Sequence, residues 1–173
     1  MVINMFLYKL LLTLNATSWM IIIYIIKEGW TIGKISSHLF GVILLTVPIF
    51  LSWFSLFLSR FLGTESTVIN CKEFSLADGE FLPVYLGYFF VSVGISGNFT
   101  MAIVYLIVFV FTFLSQTQYY NPIYLLFGYH YYHVSTESGT KIFIIKKGSL
   151  IRNIRDLRLD CLHRLNNSTF IER

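Results

Sequence analysis

Three long stretches of the chain, residues 10–26, 39–58 and 81–115, contain no Lys, Arg, Asp or Glu. Apolar runs of roughly 20 residues match the ~30 Å hydrocarbon core of a bilayer when coiled as helices. Helices are required there because lipid offers backbone amides no partner. The first run predicts a span over residues 6–26, which Lys27, Glu28 and Gly29 close; Trp30 then suits the water interface. The second predicts a span over 39–58, with Pro48 as a kink supported by neighbouring helices and Arg60 beyond its end. The third uncharged run, 81–115, would be about 52 Å long as one helix, too long for one crossing even when tilted. Ser96, Gly97 and Asn98 break it, since Gly and Asn tolerate the left-handed conformations that end helices. This gives antiparallel spans over 76–95 and 99–115, the former capped from Ser75 to Asp78 with Pro83 shortly inside. Length decides the count of four. Charge does not, because four spans leave Lys27 and Lys34 outside, whereas three would leave Lys9, Arg60 and Lys72 there.

Beyond Tyr120 the pattern changes period. Residues 129–136 and 140–145 are rich in β-branched and aromatic side chains and flank Glu137, Ser138 and Gly139, which reads as a hairpin. Ile151, Ile154 and Leu157 recur every three residues and predict a short helix, and residues 168–171 a third strand. The predicted fold is therefore a membrane all-α bundle of four transmembrane helices (residues 1–120) with a small C-terminal cytoplasmic α+β module (121–173). A module of that size needs support from the membrane or a partner.

Composition agrees with this layout. Charged residues are 13% of the chain, against about 25% in soluble domains. Eight of the thirteen basic and four of the nine acidic side chains follow Ser115, so the whole formal charge of +4 resides in the tail. A basic tail belongs on the cytoplasmic side, with both termini there in a four-span chain. Cys71 and Cys161 are then cytoplasmic, where free thiols are the default. Lys9 ahead of an apolar run resembles a signal peptide, but the run continues past Ala16, Thr17 and Ser18, which favours a retained span.

Candidate chemistry is sparse. His130 and His133 lie three apart on a predicted strand, so they point to opposite faces and cannot share one metal ion; no acidic or Cys residue is expected close by as a further ligand. The span interiors lack the ionisable groups that mark proton relays, voltage sensors and intramembrane catalysis. No phosphate loop, nucleophile elbow or zinc-helix motif is present. The expectation is a protein that is not an enzyme and uses no cofactor or metal. Asn15, Thr17 and Ser18 read as hydrogen-bonding contacts between helices. Gly87, Val91 and Gly94 share a helical face that suits close packing, either within one subunit or along an oligomer seam. Arg152, Arg155 and Arg158 form a stripe facing either lipid headgroups or an acidic protein partner. Nucleic-acid contact is disfavoured, because no recognised binding fold accompanies the cluster. Three Asn-x-Ser/Thr triplets, at Asn15, Asn98 and Asn167, are attributed to chance.

Two longer motifs carry a resemblance. The run Phe81-Leu82-Pro83-Val84-Tyr85-Leu86-Gly87-Tyr88-Phe89-Phe90-Val91 opens the third predicted span. The run Asn121-Pro122-Ile123-Tyr124-Leu125-Leu126-Phe127-Gly128-Tyr129-His130-Tyr131-Tyr132 leads into the hairpin. Both resemble the KwaA family, the membrane component of the bacterial Kiwa anti-phage system, and the four-span layout extends the likeness over essentially the whole chain. The resemblance implies a non-enzymatic, homo-oligomeric sensor in the inner membrane, working with the soluble DNA-binding protein KwaB on the cytoplasmic face. Partners on this reading are bilayer lipids, further copies of the chain and that cytoplasmic protein. Candidate partner-binding residues are Tyr129, Tyr131, Tyr132, Lys146, Lys147, Arg152, Arg155 and Arg158; Gly87, Val91 and Gly94 are the candidate seam. Alternative readings are a small oligomeric channel or pore-forming effector, and an accessory subunit of a transporter.

Overall fold

The structure, a computed structural model, describes residues 5–62, 64–65, 71–115, 120–136, 139–151, 162–165 and 168–172. The chain forms two compact units.

The helical unit holds residues 6–55 and 81–121. It contains α1 (Met5–Lys27), most of α2 (Ser37–Leu58), α3 (Leu82–Gly94) and α4 (Asn98–Ser115). Among the described residues, α1, α2 and α4 are long and apolar enough to cross a membrane. α3 is not. Its 13 residues reach about 20 Å, short of the ~30 Å core. The span expected over 76–95 is thus corrected to Leu82–Gly94, and four full-length spans are not seen. The cause lies upstream of α3. Residues 71–76 form a strand, and the Ala77 amide donates to the Tyr131 carbonyl at 2.8 Å, so these backbone groups serve the sheet and not a helix. Pro83, which needs no amide partner in a first helical turn, then marks the start of α3. The break before α4 falls where expected, with Gly97 at φ +94°.

α1 is the hub of this unit. Of its best 18-residue window 44% is buried, against 28% for α2 and 11% for α4. Its polar side chains face inward. Asn15 Nδ2 donates to Ser52 Oγ of α2 at 2.9 Å, Tyr8 donates to the Ser55 carbonyl at 3.2 Å, and Thr17 Oγ1 lies 3.2 Å from the Tyr105 hydroxyl of α4. Ser92 of α3 donates to the Met20 carbonyl, and Tyr24 to Asn98 Oδ1 at 2.8 Å. Met20 and Tyr24 pack with Tyr88 and Met101 in an apolar cluster beside these bonds. α1 and α2 approach closely at Gly41, where a Cβ would come within 3.2 Å of Ile26 Cγ1. Between α1, α2 and Tyr105 runs a groove of about 330 Å³ that includes Leu14, Ile22, Leu44 and Leu51.

The second unit gathers residues 56–80 and 122–173. It carries β1 (Thr64–Glu65), β2 (Cys71–Leu76), α5 (Pro122–Leu126), β3 (Tyr129–Thr136), β4 (Lys141–Lys147), β5 (Leu162–Arg164) and β6 (Thr169–Glu172). They form one six-stranded sheet in the order β1-β5-β6-β4-β3-β2, antiparallel except for the β4–β6 pair. The predicted hairpin is β3–β4, and the predicted third strand is β6. Between α2 and α3, residues 64–65 and 71–76 supply β1 and β2. The helix expected from Ile154 and Leu157 lies outside the described residues.

The sheet core forms on one face from Tyr132, Val134, Ile142, Ile144, Leu162 and Phe170, with Cys71, Phe74 and Ile151 packed against it. The strict two-residue repeat of strand side chains puts these positions together. On the other face Tyr131 stacks on Phe143 at 5.6 Å between ring centroids. Both faces of the central strands are therefore apolar, which explains the unbroken run Ile142-Phe143-Ile144-Ile145.

Candidate functional site

The polar features of the sheet unit cluster where β2 ends. Register places Leu76 beside Tyr132, and one two-residue step further Asp78 comes alongside His130. His130 Nδ1 is 2.6 Å from Asp78 Oδ2, while Asp78 Oδ1 accepts the Tyr131 amide at 2.7 Å. His133 Nε2 sits 2.9 and 3.1 Å from the two Glu80 oxygens. The sequence expectation that no acidic residue stands near these histidines is thereby corrected. The carboxylates are 53 or fewer positions away in sequence and adjacent in space. The two imidazoles take separate carboxylates on opposite faces of β3. Among the described residues, no group of three or more His, Cys, Asp or Glu side chains could hold a metal ion.

The row containing Asp78 and His130 continues across the sheet. His130 registers against Lys146, and Lys146 against Glu172, with Lys146 Nζ 2.5 Å from Glu172 Oε2. Glu172 is buried, so this pair is the least water-screened of the described ion pairs. The row runs Asp78, His130, Lys146, Glu172, and its two ion pairs join the residues after β2 to β3 and β4 to β6, a structural use of ionisable side chains.

Of the expected partner-binding residues, Tyr129, Tyr131 and Tyr132 are buried, Tyr131 at 0% and Tyr132 at 1% exposure. Tyr132 accepts the Ile151 amide at 3.0 Å, and Tyr129 lies 6.1 Å from the Tyr124 ring. Burial holds the Tyr132 phenol above its ordinary range, partly opposed by the Ile151 hydrogen bond. These rings build the unit and do not present themselves for docking. Lys146 is engaged by Glu172. Lys147 is exposed, its ammonium 5.8 Å from the centre of the Tyr129 ring. Arg152, Arg155 and Arg158 lie outside the described residues.

In the helical unit a Cβ added at Gly87 or Gly94 would meet nothing within 4 Å, and Val91 is 37% exposed. Their shared face is therefore open among the described residues. Sequence reading missed the concavity of about 400 Å³ lined by Glu73, Ser75, His133, Ser135 and Lys141 on β2, β3 and β4. Its residues meet only through pairing between distant segments, which no local signal announces.

A helical unit with three helices able to cross a bilayer, joined in one chain to a six-stranded mixed sheet, defines the class: an apolar helical protein of membrane type carrying a folded sheet unit. The family model for anti-phage protein KwaA matches residues 8–171, and the chain belongs to that family of anti-phage defence proteins. No curated protein matches the chain, and no solved structure does.

Cys71 provides a chemical test of this part of the sheet. Burial pushes its thiol above the usual range, so the reactive thiolate is scarce near neutrality. With Cys161 replaced by Ser, Cys71 should react with iodoacetamide at pH 7.5 more slowly than glutathione does, and accelerate as pH rises beyond 9. A rate equal to glutathione's would contradict the packing of Cys71 against the core.

Proposed function

We propose that the chain is a non-catalytic sensor and scaffold of anti-phage defence, held in the bacterial inner membrane by four spans. Both termini and the sheet unit face the cytoplasm, where it recruits a soluble DNA-binding protein of the KwaB type. The observation that carries this reading is the union, within an anti-phage family, of uncharged span interiors with a separate folded sheet. Span interiors without ionisable groups suit an anchor better than a carrier. Bilayer lipid surrounds the exposed apolar side chains of α2 and α4, such as Phe50 and Phe111.

Strand pairing supports an even number of crossings. β2 precedes α3 and α4, β3 follows them, and the two strands pair with each other. A sheet cannot straddle a bilayer, so the chain enters and leaves the α3–α4 stretch on one side. A crossing by α4 then requires one by α3, with local bilayer thinning to accommodate its length. Ser96, in the turn between them, should face the outside. In a Ser96→Cys variant lacking Cys71 and Cys161, an impermeant maleimide added to spheroplasts should label position 96. Labelling only after the membrane is opened would reverse the topology. Ser96 is preferable to Gly97, whose φ of +94° disfavours a side chain.

With the three tyrosines committed to the core, partner recruitment falls to Lys147 and to the Arg152, Arg155 and Arg158 stripe. Changing the three arginines to glutamate should lower partner recovery from membranes about tenfold or more. Undiminished recovery would remove the stripe from the interface, and depolarisation by the chain expressed alone would favour a channel instead.

The open face of Gly87, Val91 and Gly94 supports the seam between copies, because none of the described residues fills the space at the two glycines. Gly87→Leu and Gly94→Leu should each reduce cross-linked homo-oligomer in membranes; an unchanged ladder would exclude this face.

A further inference from the structure

Where α1 passes into α2, the helical unit carries a recess of about 470 Å³. Its walls include Ile26 at the end of α1 and Ser37, His38, Gly41, Val42 and Leu45 of α2. Polarity changes along α2 within about one turn. Ser37 and His38 stand at one end; Gly41, Val42 and Leu45 follow, about 12 Å from first to last at 1.5 Å per residue. Ile26, Val42 and Leu45 are open to the surroundings, at 44%, 64% and 40% exposure. Beyond Ile26 come Lys27 and Glu28, paired at 3.1 Å, and then Trp30, which is exposed. Charges followed by an exposed indole mark the level where hydrocarbon gives way to headgroups. The recess therefore has its polar end at that interface and its apolar end in the hydrocarbon.

The polar end has hydrogen-bonding capacity to spare. Ser36, not Ser37, caps α2, its Oγ accepting the Leu39 amide at 3.4 Å. The Ser37 hydroxyl and the His38 imidazole bond to none of the described residues. The groove beside Leu14 and Leu44 differs in this respect. Ser18 there donates to the Asn15 carbonyl at 2.6 Å, and the Tyr105 hydroxyl meets Thr17.

We infer that the recess binds one phospholipid, its phosphate oxygens accepting from Ser37 and His38 and an acyl chain lying along Ile26, Val42 and Leu45. Two donors above an apolar wall match a molecule whose charged acceptor and hydrocarbon are joined in that order. A spanning helix of a second copy fits less well, because its carbonyls are taken by its own amides and would leave both donors unmet. The inference rests on α1 and α2 crossing a bilayer. It names one retained lipid, as distinct from the lipid that surrounds every span.

Native mass spectrometry of the full chain, released from detergent after addition of phosphatidylglycerol, phosphatidylethanolamine or a diacylglycerol with the same chains, tests it. One phospholipid per chain should survive collisional activation that strips the others. Diacylglycerol, which lacks the phosphate, should be retained about tenfold less, the loss of hydrogen bonds to a charged group. Ser37→Ala combined with His38→Ala should lower phospholipid retention to the diacylglycerol level. Val42→Trp fills the recess and should abolish retention of all three. Val42 is exposed, so its core neighbours are spared, and Leu45→Trp on the same wall should reproduce the effect. Val110→Trp, at a comparably exposed site on α4, should change nothing. Undiminished retention in Val42→Trp and Leu45→Trp, equal loss in Val110→Trp, or equal retention of diacylglycerol would each overturn the site. Loss of homo-oligomer in Val42→Trp with lipid still bound would assign the face to a second copy and overturn it too. Extraction of the chain without detergent would instead overturn the bilayer crossing itself, so the two failures are told apart.

Discussion

A polar side chain inside a hydrocarbon-facing helix must find its partner in protein, and the helical unit is organised by that constraint. α1 carries most of the polar groups of the early spans, and it is the most enclosed helix for that reason. Tyr8, Asn15, Thr17 and Tyr24 bond to Ser55, Ser52, Tyr105 and Asn98, and the Met20 carbonyl accepts from Ser92, which draws α2, α3 and α4 around it. The remaining helices need only dispersion and shape to pack, and they expose Phe50, Phe90 and Phe111 outward. A hydrogen bond here is worth about as much as in water-soluble proteins, near 1 kcal/mol, so the several bonds of α1 act collectively.

The sheet unit follows the opposite logic. It has charge to spare and uses it at the ends of strands. Asp78, Glu80, Lys146 and Glu172 all engage neighbours within the unit, while the middle of β3, β4 and β6 is apolar on both faces. A sheet apolar on both faces is demanding in a small unit, and recruiting β1 and β2 from the stretch after α2 widens it to six strands.

The sequence made the helices legible because their signal is local: a run of uncharged residues, a terminating charge, a Gly97 that permits the turn. The hairpin was legible for the same reason, with Gly139 (φ +80°) in the loop joining two alternating runs. What escaped was everything that depends on pairing across distance. Cys71 to Leu76 has the composition of a solvated loop and becomes a strand only because residues 132–136 lie alongside it. That pairing in turn takes the first turn of the expected third span out of the helix. The histidines could be assigned to opposite faces from spacing alone, but not to Asp78 and Glu80. Tyr129, Tyr131 and Tyr132 are buried in the sheet unit, which spacing could not show, since an aromatic in a strand reads alike whether it faces a partner or its own core. Gly87 and Gly94 were legible as a face and not as an open one.

The order of strands along the chain has a consequence for synthesis. β2 leaves the ribosome more than fifty residues before β3, its partner in the sheet, and the two are separated by α3 and α4. At about 5–20 residues per second this is an interval of several seconds. During it Cys71 to Leu76 has no strand to pair with, and β1 waits longer still for β5. Two apolar helices, α3 and α4, are made within that interval, before the sheet can close. For that interval the edge of β2 is an unpaired strand in a chain whose next two elements are apolar helices, which exposes it to wrong pairing.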